Sequence, residues 1–229
     1  MRLHRLIGWV GELFVTAGVL LLLFTAWQLW WTDVTSNRVQ AATVTTLEQD
    51  FRERPTSAPT PSVVVPKELR SGKAFAIVRI PRFGTDYARP VLEGSSRDIL
   101  KEGVGHYVGT ALPGQVGNFA MAGHRTTYGR PFHDIDTLQV GDRVVVETAT
   151  DFFVYQVSES EIVLPTDVEV IAPVPGEPAA SPVTAVMTMT SCHPKYSATQ
   201  RFIVHGTLVE TVPRAKWDPA RWLAPPKEG

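Results

Sequence analysis

Only one cysteine, Cys192, occurs among the 229 residues. No intramolecular disulfide can form, and an odd thiol in an exported chain implies either intermolecular pairing or a reactive group. A buried structural cysteine is an equally open reading at this point, because free Cys is among the most buried residue types. An excess of charge is also missing: 22 basic against 23 acidic residues leave a formal net charge of -1. That balance disfavours a nucleic-acid partner, which selects for a strong basic excess. There is no internal repeat, and long helical patterns are few. With 44% hydrophobic residues, the chain has material for one domain plus attachments.

Charge is absent altogether from Leu13 to Trp31, LFVTAGVLLLLFTAWQLWW. About 20 such residues span a hydrocarbon core roughly 30 Å thick, so 13–31 is expected to be a transmembrane helix. Arg2, His4 and Arg5 precede it and Asp33 follows it. The positive-inside tendency therefore predicts a cytoplasmic N-terminus, residues 1–12, a single pass through the cell membrane, and an extracellular remainder. A cleavable signal peptide is the competing reading, but its apolar region runs to only about 7–15 residues and ends in small ones. Here the run ends in Trp27, Trp30 and Trp31. Residues 32–72 then read as an extracytoplasmic stalk or linker. Its piece RPTSAPTPSVVVP has four prolines and no apolar face, too little to offset the entropy of ordering. Reach through a wall layer and a passive connection are both consistent with it. Ser36 to Arg54 lacks proline, and Val39, Val44 and Leu47 recur near helical spacing, so the helix is expected to be able to continue there.

Between 73 and 213 the texture changes to short runs rich in Val, Ile, Thr and Phe. AFAIVRIP, NFAMAG, DRVVVET, FFVYQVSESEIV, AVMTMTSC and RFIVHGTLVE each read as strands. Their close spacing predicts a mainly β domain, a sandwich or a barrel. SRDILKEGVG predicts one short helix with Ser96 as N-cap and Gly103 just past its end. The tail, 214–229, is Pro-rich and carries Trp217 and Trp222, which are expected either to pack back on the domain or to touch the membrane.

The chemistry concentrates in TMTSCHP, Thr188 to Pro194. Proline cannot continue a central ladder, so Cys192 is expected at a strand end, fixed by the strand and exposed by the loop after it. Nine residues on, Arg201 opens the strand RFIVHG, which would bring both residues to one end of a sheet. NFAMAG ends just before His124, placing that histidine at the start of a polar loop. A thiolate attacks a carbonyl, a histidine moves the protons, and an arginine stabilises a developing oxyanion. A lone His after a strand and an Arg at a strand start are also ordinary structural or solvated residues. His193 adjoins Cys192 but points to the opposite strand face. His106, His133 and His205 show no zinc-ligand spacing with the thiol. Leu164 to Pro182 is long enough to form the mobile wall of a groove.

TMTSCHPKYSATQRFIVHG resembles the active-site segment of the sortases, and NFAMAGHRTTYGRPFHDIDTLQVGDRVVVET resembles the segment carrying the family histidine. IPRFGTDYARPVLEGSSRDILKEGVGHYVGTALPGQVGN resembles the opening strands and helix, so the similarity covers about Phe75 to Glu210. The Cys-His-Pro triplet and the anchor with its stalk look most like class E, the housekeeping actinobacterial group. The resemblance implies a closed eight-stranded sortase-type β-barrel with one or two short helices, and a cysteine transpeptidase. On this similarity Cys192 is the nucleophile, His124 the general acid and base, and Arg201 the stabiliser of the oxyanion or substrate carbonyl. From the residues themselves, Thr190 and Ser191 are candidates to hydrogen-bond substrate, although Thr in a strand is also ordinary β chemistry, and Tyr128 is a candidate to line the groove. The implied partners are secreted proteins bearing a Leu-Ala-x-Thr-Gly or Leu-Pro-x-Thr-Gly sorting signal, cut between Thr and Gly, and a cell-wall precursor amine. No cofactor is implied. The loop LPTDVEVIAPVPGEPAASPV has no compact acidic cluster, so no required metal is expected. The rival from another class is a non-catalytic envelope module that binds an extended peptide by strand addition.

Overall fold

The apolar run lies inside one helix, α1 (Arg2–Glu53), in a computed structural model that describes residues 2–53 and 69–225. From Ile7 onward α1 is long and apolar enough to cross a membrane. Side chains such as Leu13, Phe14 and Leu22 stand outward and exposed, an apolar surface without a packing partner among the described residues. The Pro-rich piece from Arg54 to Pro66 lies outside the described residues, as does the end of the tail beyond Pro225.

Past the apolar run α1 changes character. Gln40, Val44, Leu47 and Phe51 are buried, a stripe at helical spacing. Val44, Leu47 and Phe51 pack on Ile77, with Ala74, Ala88 and Ala149 around them. The small alanines let the helix lie close to the sheet. Each of the three large side chains contributes roughly 1.5–3 kcal/mol by burial. Glu48 adds an ion pair to Arg79, and Arg214 lies 5.2 Å above the Phe51 ring. Residues that composition assigned to a stalk, from Gln40 to Phe51, are thus a docked helix.

The rest is a barrel. Its strands are β1 (Ala74–Arg79), β2 (Ala88–Glu93), β3 (Val104–His106), β4 (Gly117–Ala122), β5 (Arg143–Glu147), β6 (Asp151–Val163), β7 (Ala185–His193) and β8 (Gln200–Pro213). They close in the order β1-β2-β3-β4-β7-β8-β6-β5, which leaves no unpaired edge. Alternation along the strands sends Val78, Phe119, Met121, Tyr155, Met187, Met189 and Val204 into one core. The expected helix is a single turn, α2 (Arg97–Leu100), and the Ser96 hydroxyl accepts a hydrogen bond from the Ile99 amide as an N-cap should.

The tail packs on the barrel. Within α3 (Pro219–Trp222), Trp222 is buried with Val145, Phe152, Val154 and Val212. Trp217 stacks on Phe152 with ring centroids 3.9 Å apart and planes 4° from parallel. This settles the choice that the sequence left open in favour of the domain over the membrane.

Candidate active site

Three neighbouring strands carry the candidate residues on one face. In β7 the side chains of Met187 and Met189 enter the core, so Thr188, Thr190 and Cys192 point out of the barrel by the two-residue period. In β8, Phe202 and Val204 line the core side, which turns Arg201, Ile203 and His205 outward. The antiparallel register sets Cys192 opposite Arg201, Thr190 opposite Ile203 and Thr188 opposite His205. On the other flank β4 runs parallel to β7 with Ala120 beside Thr188 and Ala122 beside Thr190. Gly123 extends that ladder, donating its amide to the Thr190 carbonyl at 3.1 Å. One further step of the register puts His124 level with Cys192 on the outward face. The small Ala120 and Ala122 between these groups are themselves buried.

The wall of this groove is polar and tied down. Tyr107 reaches the Thr190 hydroxyl at 3.0 Å. The 164–184 loop, with its 3-10 turn Val168–Ile171, is anchored by Asn118, which donates to the carbonyls of Val170 and Ala172 at 3.2 and 2.9 Å. The Thr188 hydroxyl lies within 3.2 Å of the Val170 carbonyl and 2.9 Å of His205 Nδ1. His205 Nε2 in turn faces Glu161 at 3.3 Å.

His124 holds its proton less tightly here than a free imidazole does. Burial first, and then the positive charge of Lys101, hold its imidazole below the ordinary value of 6.5. Near neutrality the ring is therefore uncharged and able to accept a proton. Its Nε2 is buried and has no hydrogen-bond partner among the described residues. Arg201 gives Nη1 to the carbonyls of Ala198 and Gln200 at 3.0 and 2.9 Å, which fixes the guanidinium to its own loop. An arginine has five N–H donors, so others remain to meet an oxyanion.

The supporting residues expected at the substrate divide. Tyr128 sets its ring 5.2 Å from that of His124. Thr190 is on the groove face, its hydroxyl engaged with Tyr107. Ser191 is a correction: it is 3% exposed and donates to the Gly123 carbonyl at 2.8 Å. Its position falls on the inward face of β7, so it pins the ends of β4 and β7 together and offers nothing to a ligand. His193 also turns inward and packs against Phe202 at 5.8 Å.

One residue escaped the sequence reading. Arg125, adjacent to His124, is 2% exposed. It donates from Nε to the His133 carbonyl at 2.9 Å and from Nη1 to the Cys192 carbonyl at 3.1 Å, and pairs with Asp136 at 2.7 Å. It ties the loop of the histidine to the strand end of the thiol. Its burial was invisible in the polar string HRTTYGR; the one available signal was Asp134 and Asp136 close by.

Comparison with known proteins agrees with this fold. The Sortase domain family model matches residues 78–209. Sortase SrtE1 of Streptomyces coelicolor is 38% identical over 92% of this chain, and the chain spans 59% of the length of that relative. The solved structure of sortase E from Streptomyces avermitilis is 44% identical, covers 66% of this chain and 97% of its own, and superposes with a TM-score of 0.60. Sortase E1 from Streptomyces coelicolor, solved with a tripeptide in its active site, is 37% identical with a TM-score of 0.60, covering 66% of this chain and 98% of its own. The chain belongs to the sortase family, with class E sortases among its structural neighbours.

Proposed function

We propose that the chain is a membrane-anchored cysteine transpeptidase that cleaves a C-terminal sorting signal, Leu-Ala-x-Thr-Gly or Leu-Pro-x-Thr-Gly in type, between Thr and Gly. It then transfers the acyl group to a cell-wall precursor amine. The observation that carries this reading is the opposition of Cys192 and Arg201 across β7 and β8, with His124 on the same face one strand away. His124 takes the thiol proton as the Cys192 sulfur bonds to the Thr carbonyl carbon, and the carbonyl oxygen becomes an anion beside Arg201. The oxyanion collapses, the Thr–Gly bond breaks, and His124 returns the proton to the departing Gly amine. That leaves a thioester on Cys192. The acceptor amine attacks it, gives a proton to His124, and the thiol is restored when the C–S bond breaks. No cofactor takes part. Thr190 and Tyr128 serve as substrate contacts at the floor and rim of the groove.

The anchor is read with its N-terminus in the cytoplasm and the barrel outside, in a single pass. The basic residues Arg2 and Arg5 before the apolar run and Asp33 after it support that orientation. The test uses the full chain in lipid nanodiscs with a labelled sorting peptide and a primary amine. The native protein is expected to release the Gly-side fragment and to form the amide with the amine, and Cys192→Ala is expected to do neither. A native chain inert toward the peptide refutes the reading, as does undiminished cleavage by Cys192→Ala. Peptide binding without cleavage would return the reading of a non-catalytic envelope peptide-binding module.

A further inference from the structure

The loop that follows His124 is held in place by the helix that leaves the apolar run. Three successive residues, Tyr128, Gly129 and Arg130, have φ of 52°, 77° and 49°, the left-handed region that L side chains rarely adopt. A turn of this kind persists where its surroundings over-determine it, and here much of the surroundings is α1. Asp33 Oδ1 accepts a hydrogen bond from the Gly129 amide at 3.1 Å, and Oδ2 pairs with Arg130 Nε at 3.0 Å. Gln40, which is 0% exposed, donates from Nε2 to the Tyr128 carbonyl at 2.9 Å. A Cβ at Gly129 would stand 3.0 Å from both Asn37 Oδ1 and Gln40 Nε2, so the helix surface is moulded to the turn. Residues 33, 37 and 40 lie on one helix face, in line with the apolar stripe that docks α1 on the barrel.

The turn connects to His124 by two short routes. The Tyr128 ring rests 5.2 Å from the imidazole, and the Phe132 amide donates to the His124 carbonyl at 3.0 Å, closing the loop on itself. We propose that Asp33 and Gln40 of α1 are positioning residues for the reaction: they hold the 128–130 turn, and through it the His124 ring, at the distance from Cys192 that proton transfer needs. The proposal rests on the transpeptidase reading above. It makes the membrane-proximal end of the anchor a part of the active site.

The test compares full-length wild type, Asp33→Ala/Gln40→Ala and Asp33→Asn in nanodiscs. Asn retains an acceptor for the Gly129 amide and loses the ion pair with Arg130. The double variant is expected to lose about 10- to 100-fold in kcat, the scale of a displacement near 1 Å, with KM within about threefold of wild type. Hydrogen exchange of the 124–133 segment is expected to rise about tenfold with the strands unchanged. Asp33→Asn is expected to recover most of kcat. Wild-type kcat in a double variant with unchanged melting overturns the proposal, as does unaltered exchange of the loop. If the double variant melts early, Asp33→Ala alone, at the outer edge of the contact, gives the same readings. A wild-type chain inert on the peptide refutes the transpeptidase reading itself and removes the positioning role with it.

Discussion

Replacing Arg125 by Met keeps the length and apolar stem of the side chain and removes its three anchoring contacts. The His133 and Cys192 carbonyls each lose a charged donor, at 2.9 and 3.1 Å, and each such loss costs about 1–2 kcal/mol when water cannot replace it fully. Asp136 loses its partner as well, but its side chain is 37% exposed, so solvent screens that pair and its share is a few tenths of a kcal/mol. The stacking of the guanidinium over Phe202 at 5.7 Å adds about 0.5–1 kcal/mol. Met regains part of this, since no charge has to be desolvated. A net destabilisation of about 2–3 kcal/mol follows. For a domain of this size it lowers the melting temperature by about 5–10 °C, read by near-ultraviolet circular dichroism of the full chain. Peptide cleavage below the transition should fall about 10- to 100-fold, because the Cys192 carbonyl and the His124 loop are no longer joined. Arg125→Lys should recover little, as an ammonium cannot serve three acceptors in a fork. Wild-type melting and cleavage in Arg125→Met would show that the buried guanidinium organises nothing.

The remaining predictions concern charge. Lys101→Gln removes the second of the two causes that depress His124, so its titration followed by the ring-proton NMR shift should move upward and remain below the ordinary value, since burial persists. Because the folded-state value lies under the unfolded one, the unfolded chain binds more protons, and stability should fall as pH drops from about 6.5 through the folded value. That loss should be smaller in Lys101→Gln, as measured by chemical denaturation across the same pH window. Arg201→Ala should lower kcat for peptide cleavage by about 10²–10³-fold with a small effect on KM. Arg201→Lys should recover only part, because Nη1 is committed to the Ala198 and Gln200 carbonyls and the donors left over form a fixed fork.

Much of the barrel was legible because most of its strands are long enough to show alternation. β1, β4, β5, β6, β7 and β8 all coincide with runs read from Val, Ile, Thr and Phe content. β2 and β3 were missed by patterning. ARPVLE carries a proline, and VGH is three residues with a glycine at its centre, too little for a period to register. The ends of β7 and β8 were readable from Pro194 and from the polar loop between them, which is why the sequence alone brings Cys192 and Arg201 to one sheet end. Ser191 misled because its neighbour is the thiol, while strand geometry sends adjacent side chains to opposite faces. The seat of α1 was half visible: Val44 and Leu47 are in the predicted helical spacing, but the alanines that receive them are scattered from Ala74 to Ala149. Long-range pairs such as Asp33 with Gly129 leave no local trace.

The seating of α1 also fixes a height. Asp33 stands two residues beyond Trp31, roughly 3 Å along a helix axis, and already touches the loop of the groove. On the anchored reading, the turn that follows His124 therefore stands at the level of the lipid headgroups. The Pro-rich segment joins Glu53 to Ala74, and Phe51 and Ala74 belong to one packed cluster on the barrel. Both of its flanking residues are thus fixed on the barrel, so lengthening or shortening that segment would not raise or lower the site above the bilayer. On the proposed transpeptidase reading, donor and acceptor would both arrive along the membrane plane, and a wall beyond would be reached by the product, not by the enzyme.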